Sequence, residues 1–185
     1  MAMQGAGGCR DLSGTYTKLY TAMMKSENFL DLIRAAFPVE PLPADFFWVE
    51  GKIPLDSEIP QELKNRISGR PWVEVTLLDW RMTASSPEVS RRYLEPATFM
   101  YYVPSIIVGA FREIEFIYLA LEAIIPENKN HIPRGKWWFE FSASASPDQR
   151  AAISAFLTHI RLTDWDTIGL ANQYLLERAE NIWPG

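Results

Sequence analysis

The feature that most constrains the fold is an uncharged run of about 15 residues, Ala97–Phe111. A membrane-spanning helix needs about 20 such residues, and this run contains Pro104 and is followed at once by charged residues. A helix this apolar that is too short to cross a bilayer is typical of the centre of a water-soluble core. We therefore predict a central helix that opens at Glu95-Pro96, runs toward Ile125, and is kinked or divided at Pro104.

The length of 185 residues and the hydrophobic content of 48% suit one globular domain. We expect the glycine-rich residues 1–20 to form a flexible tail and residues 21–185 to form a single helical domain. The predicted fold is mainly α: a single-domain helical bundle around the apolar central helix, with a long proline-rich loop and room for one short extended segment.

The formal net charge of −5 argues against nucleic-acid binding, because phosphate neutralisation needs a basic face. The same charge suits a basic protein partner, although mild acidity also simply keeps a protein soluble. Cys9 is the one cysteine, so no disulfide can form within the chain, and the N-terminus has no signal-peptide core. We expect a cytoplasmic protein with no cofactor and no membrane partner.

Before the central helix, apolar residues recur at helical spacing in segments that have recognisable caps and stops. The first helix starts within Asp11–Thr21 or at Ser26 and stops at Pro38. The second covers Ile59–Ser68 and is ended by Gly69. A third, short helix begins at Ser86-Pro87-Glu88. The segment Pro71–Trp80 fits a strand by its β-propensity and a helix by its apolar spacing, and both alternatives remain open.

After the central helix, the connection 126–145 holds the candidate extended segment, formed by Trp137, Trp138, Phe139 and Phe141. Ser146-Pro147-Asp148-Gln149 then predicts a helix start with a capping box, and Thr163 or Asp164 is expected to cap a last helix. Two sets of residues are expected to face the core: Ile106, Ile107, Phe111, Ile114, Ile117, Tyr118 and Leu121 in the central helix, and Trp165, Ile168, Ala171, Leu175 and Ala179 in the last one.

The proline-rich segment 38–60 is acidic and carries the aromatic triplet Phe46-Phe47-Trp48. An acidic, aromatic loop held by prolines is a plausible contact surface for a protein partner, although the aromatic residues alternatively pin a long loop onto the core. The residues predicted to bind a partner are Glu40, Asp45, Phe47, Trp48, Glu50, Asp56 and Glu58.

Three pieces of the chain resemble a family of small bacterial proteins with no established activity. The first is Gly69-Arg70-Pro71-Trp72. The second is Leu94-Glu95-Pro96-Ala97 followed by Tyr101-Tyr102-Val103-Pro104. The third is the Ser-Pro-x-Gln motif that begins at Ser146, together with the residues that follow it to Leu157. The resemblance covers roughly residues 25–162. It implies a bacterial origin and a helical domain, and it implies no catalytic or binding residue.

The sequence indicates no catalytic, cofactor or metal site. His131 and His159 are the two histidines, and no spacing links either to a nucleophile. Glu113 and Glu115 could join Asp164 and Asp166 in a carboxylate cluster, but residues two apart on a helix point to different faces.

Our leading hypothesis is therefore a non-catalytic bacterial protein-binding protein, most specifically an immunity protein that neutralises a cognate toxin with a basic active site. The alternative is a small enzyme or a ligand-binding domain whose polar residues converge only in three dimensions.

Overall fold

The computed structural model describes residues 26–51 and 54–184. Over these ranges the backbone forms nine α-helices and four 3-10 turns, with no sheet and one isolated bridge between Phe47 and Leu94. The helices are α1 (Ser26–Ala36), α2 (Glu58–Arg66), α3 (Leu77–Arg81), α4 (Pro87–Ser90), α5 (Pro96–Arg112), α6 (Ile117–Ala123), α7 (Lys136–Ser144), α8 (Pro147–Thr163) and α9 (Gly169–Ile182). The predicted mainly α fold is confirmed. The tail over residues 1–20 and a helix start within Asp11–Thr21 lie outside the described residues.

Helix α5 forms the centre of the core, and α3, α6 and α7 pack against it. It runs without interruption through Pro104, which is buried. The predicted division falls instead at Glu113, whose non-helical backbone separates α5 from the 3-10 turn Ile114–Phe116 and α6. Tertiary packing thus outweighs the loss of one backbone N–H at Pro104. Within the described ranges, no helix combines the length and apolarity that crossing a membrane requires.

The predicted core residues of the central stretch are buried to different extents. Those with no exposed surface are Ile106, Ile107, Ile117 and Leu121, and those that are partly buried are Phe111 and Ile114. The prediction for Tyr118 is wrong, because this side chain is 38% exposed. Because the helix is interrupted at Glu113, the buried face of α6 does not continue the buried face of α5. A single helical periodicity therefore cannot predict the buried residues of both helices.

The segment Pro71–Trp80 is neither a strand nor one helix. A 3-10 turn over Trp72–Glu74 precedes the short helix α3. Thr76 caps α3, because its hydroxyl accepts the backbone N–H of Asp79 while the Asp79 carboxylate accepts the N–H of Thr76. Upstream, Gly69 has a φ of +75° after α2, as a helix stop requires.

The aromatic residues that follow Gly135 are helical, so the predicted extended segment is wrong. Gly135 has a φ of +84°, and α7 begins at the next residue. Trp138 and Phe141 lie three residues apart on one face of α7 and are buried. Trp and Phe are common in strands because a sheet buries their side chains, and packing in a helical bundle buries them as well.

Helix α8 has the predicted capping box. The Ser146 hydroxyl accepts the backbone N–H of Gln149 at 3.2 Å, and Oε1 of Gln149 accepts the N–H of Ser146 at 2.9 Å. Both of these backbone N–H groups at the helix start are therefore satisfied by side chains.

The last helix differs from its prediction, because Asp164 follows the end of α8 and α9 begins only at Gly169. The later start changes the buried face: Leu176 and Ala179 are fully buried, whereas Ala171 is exposed. The expected capping of α9 by Thr163 or Asp164 is thus wrong.

Candidate functional site

Four carboxylates lie near one another at the start of α5, and we call Asp45, Glu50, Glu95 and Glu140 the acidic face. The pKa of Glu95 is raised, first by its partial burial and then by the negative charges of Asp45, Glu140 and Glu50. Lys136 opposes this increase, and it forms ion pairs with Glu50 and, at 3.5 Å, with Glu140. The charges that act on Glu95 are thus mostly negative.

Backbone hydrogen bonds bring the proline-rich segment to this place. The N–H of Glu95 donates to the carbonyl of Phe46 at 3.1 Å, and the N–H of Trp48 donates to the carbonyl of Tyr93 at 2.8 Å. The segment therefore docks along the residues that lead into α5. This docking places Asp45 beside Glu95 although 50 positions separate them in the chain.

The two predicted aromatic contact residues behave differently. Phe47 packs against the core, with its ring 4.9 Å from that of Phe46, which in turn lies 6.2 Å from Tyr102. Trp48 is half-buried, and its ring stacks on no other aromatic ring among the described residues. Phe47 thus fits the role of pinning the loop to the core, and Trp48 remains accessible to a partner.

The remaining predicted residues lie away from this group. Glu40 is exposed near Tyr101, whose pKa is raised mainly by burial and to a smaller extent by Glu40. Asp56 and Glu58 are exposed just before and at the start of α2, and neither is among the charges that act on Glu95. The acidic segment is therefore not one continuous charged surface.

Sequence reasoning missed two members of the acidic face, Glu95 and Glu140. Glu95 lies outside the acidic segment, and only the docking of that segment gives it charged neighbours. Glu140 lies one helical turn after Lys136 on α7, in a region where the sequence predicts an extended segment. A helical assignment there would have paired the two residues, since positions four apart share a helix face.

A cleft borders the acidic face, and we call it the tryptophan cleft. Its volume is about 300 Å³. Its walls are Trp48, Arg91, Arg92, Pro126, Glu127, Asn128, Arg134, Trp137 and Trp138. These residues come from three separate segments of the chain, and the sequence gives no spacing signal that links them.

Arg91 is the buried charge of the cleft, with 3% of its surface exposed. Its Nη1 donates to the backbone carbonyls of Glu122 at 3.0 Å and Ala123 at 2.7 Å, at the end of α6. Burial lowers its pKa to about 10, so the guanidinium still carries its charge at neutral pH. Its neighbour Arg92 is more exposed and binds Glu127 through two hydrogen bonds of 2.7 and 2.6 Å.

The candidate catalytic and metal-binding groups do not assemble into a site. The Nδ1 atom of His131 contacts the carbonyl of Pro126 at 2.7 Å, within its own loop. His159 packs beside Phe111, its Nδ1 is buried without a hydrogen-bond partner, and burial lowers its pKa. Across the described residues, no group of three or more His, Cys, Asp or Glu side chains could hold a metal ion.

Comparisons of the chain with protein-family models, with curated proteins and with solved structures find no match in any of the three. The resemblance to a small bacterial family therefore stays a prediction.

Proposed function

We propose that this chain is a non-catalytic bacterial protein-binding protein of the cytoplasm that engages a basic partner through the acidic face. In its most specific form it is an immunity protein that neutralises a cognate toxin. The observation that carries the proposal is the crowding of Asp45, Glu50 and Glu140 around Glu95, whose pKa is raised first by its burial and then by these three negative charges.

The physical basis is the excess of negative over positive charge on the acidic face. Three carboxylates act on Glu95 against the single cation Lys136. A partner with lysine or arginine side chains would relieve this repulsion, and opposite fields would also speed the encounter of the two proteins. A toxin that acts on nucleic acid needs such a basic surface, since its substrate carries phosphates.

Trp48 supplies an anchor for the same partner. It is half-buried next to the acidic face and lacks a stacking partner among the described residues, so its ring has surface left to bury. Tryptophan is among the residue types that contribute most to binding energy at protein interfaces. Glu50 follows Trp48 by two positions in the chain and belongs to the acidic face, where it pairs with Lys136. The aromatic anchor and the charged group are therefore adjacent.

The test begins with the product of the neighbouring gene as the candidate partner. Expressed alone, that product should arrest growth, and co-expression of this chain should restore growth and yield a stable complex on size-exclusion chromatography. A Trp48→Ala variant should protect less well, while Val49→Ala, a change at a neighbouring side chain that is 75% exposed, should protect as the wild type does. A harmless neighbour that does not bind would contradict the immunity proposal.

A further inference from the structure

We infer that the tryptophan cleft is a binding site for a small anion that carries a planar aromatic ring. The inference uses a different set of charged groups from the acidic face and shares only Trp48 with it, so Arg134 is the residue that tests the cleft alone. Two observations support it: a buried arginine without a carboxylate partner and an indole without a stacking partner, both on the wall of one cleft.

The anionic part of the ligand follows from Arg91. This side chain forms no ion pair with any described carboxylate, and both of its hydrogen bonds use Nη1. Its Nε and Nη2 groups therefore keep donors that a ligand oxygen could accept. A buried cation is costly unless an opposite charge and hydrogen bonds compensate it, and two backbone carbonyls supply only part of that compensation.

The surrounding charges leave the cleft with a positive surplus. Arg92 is neutralised by its two hydrogen bonds to Glu127. Arg134 lines the same cleft, is exposed and has no hydrogen bond or ion pair within the described part of the chain. Glu88, Glu127 and Glu122 also act on Arg91 from a distance; of these only Glu127 is part of the cleft wall, and its carboxylate is already bound to Arg92. Arg91 and Arg134 are thus the two cations available to a bound anion.

The aromatic part of the ligand follows from the indoles. The guanidinium carbon of Arg91 lies 5.6 Å from the ring centre of Trp137 and 5.7 Å from that of Trp138. Trp137 also stacks on Phe141 at 5.1 Å, so its ring is held in place. Trp48 has no such neighbour, and a planar ligand ring could stack on it while its acidic group meets the arginines.

The size of the cleft restricts the ligand to a small molecule. Its volume of about 300 Å³ is at the lower end of the range that ligand pockets span, about 300–1,000 Å³. A long nucleic acid is disfavoured because the chain as a whole carries a net charge of −5. Aromatic carboxylates and nucleoside monophosphates share the required chemistry, a flat ring joined to an acidic group.

The experiment is isothermal titration calorimetry of the full chain with five probes: adenosine 5′-monophosphate, indole-3-acetate, adenosine, inorganic phosphate and acetate. At least one of the first two, which join a ring to an anion, should bind, and the probe that binds identifies the source of the anionic group. Adenosine and the two simple anions, which lack one half of the ligand, should bind at least about fivefold more weakly.

Variants then place the binding in the cleft. Trp48→Ala and Arg134→Ala should each weaken binding by about fivefold or more, because the first removes the stacking surface and the second removes one of the two available cations. Trp165→Ala and Arg112→Ala, which change the same residue types outside the cleft, should leave the affinity unchanged. Circular dichroism checks that each variant keeps its helical content.

Three results would overturn the inference. The first is that neither ring-bearing anion binds at millimolar concentrations. The second is that adenosine or phosphate alone binds as tightly as the joined probe, which would remove the need for either the arginines or the indoles. The third is that the Trp48 and Arg134 variants bind like the wild type, which would place any binding elsewhere.

Discussion

The acidic face and the tryptophan cleft are neighbours that hold their charges in opposite ways. On the acidic face, Asp45 and Glu140 are exposed, and their mutual repulsion is screened by water and salt. In the cleft, Arg91 is buried and depends on the carbonyls at the end of α6. An exposed charge costs the fold little and is free to act on a partner, whereas a buried charge becomes part of the fold. Substitutions in the cleft should therefore change the free energy of unfolding more than substitutions on the acidic face.

The largest effect is expected for Arg91→Ala, which removes both hydrogen bonds to the end of α6. The buried carbonyl of Ala123 and the partly buried carbonyl of Glu122 would be left without this donor, and we expect a loss of about 2–4 kcal/mol in the free energy of unfolding. Urea denaturation followed by circular dichroism measures it.

Arg92→Ala is the matched control, since Arg92 adjoins Arg91 in sequence but pairs with Glu127 at the surface. Exposed ion pairs contribute about 0–1 kcal/mol, so this variant should be destabilised much less. Equal losses in the two variants would show that burial does not distinguish these charges, and the comparison would fail.

The helix cap at Ser146 lies outside both regions, and its removal should have an intermediate effect on the free energy of unfolding. Ser146→Ala should lower the free energy of unfolding by about 1 kcal/mol, because the backbone N–H of Gln149 loses its acceptor. Gln149→Ala should cost less. The same urea titrations measure both changes, and an unaltered midpoint for Ser146→Ala would contradict the capping geometry.

The smallest effect on stability is expected on the acidic face itself. The pair Asp45→Lys with Glu140→Lys should change the free energy of unfolding by only about 0.5 kcal/mol or less, since both side chains are exposed. A thermal melt at physiological salt measures this change. A loss comparable to that of Arg91→Ala would mean that the acidic face is structural.

The pKa of Glu95 tests the crowding without any partner. In Asp45→Asn the pKa of Glu95 should fall, because one negative charge is removed, yet it should stay above its ordinary value since burial is the largest cause of the increase. Carbon-detected NMR titration of the side-chain carboxyl measures it. An unchanged pKa would place Asp45 too far from Glu95 to belong to the acidic face.

The direction of this pKa shift also predicts how stability depends on pH. A raised pKa in the folded state means that folding favours the protonated carboxyl, so the contribution of Glu95 is present at pH below its unfolded pKa. That contribution is lost as pH rises through the folded pKa. Glu95→Gln should abolish this part of the pH profile, and the difference between the two urea-derived profiles reports it.

Much of the fold could be predicted from the sequence because its signals are local. The uncharged run Ala97–Phe111 predicted the buried helix α5, and the residues from Ser146 to Gln149 predicted the start of α8. These patterns need only a helical period or a cap, and both lie within a few consecutive residues. The division considered at Pro104 does not occur, because packing around this residue, which the sequence does not show, keeps the helix continuous.

The sites were less predictable because distant segments form them. Asp45 and Glu50 belong to a visibly acidic stretch, but their grouping with Glu95 requires the hydrogen bond from Glu95 to Phe46. The cleft combines residues near positions 48, 91 and 134, and no spacing in the sequence relates them. Its third wall includes Trp137 and Trp138, for which the sequence predicts an extended segment and the structure shows the helix α7.

The measurement that tests the central proposal most directly is the association rate constant of the chain with its basic partner, at two salt concentrations. Asp45→Lys with Glu140→Lys is compared with Glu113→Lys with Glu115→Lys, a matched pair of charge reversals at the other end of α5. The helix α5 has 17 residues and is about 25 Å long, and the two pairs lie at its opposite ends. We predict that the first pair slows association about tenfold at low salt and less at high salt, while the second has little effect. Equal association rates for both variants and the wild type would contradict the account.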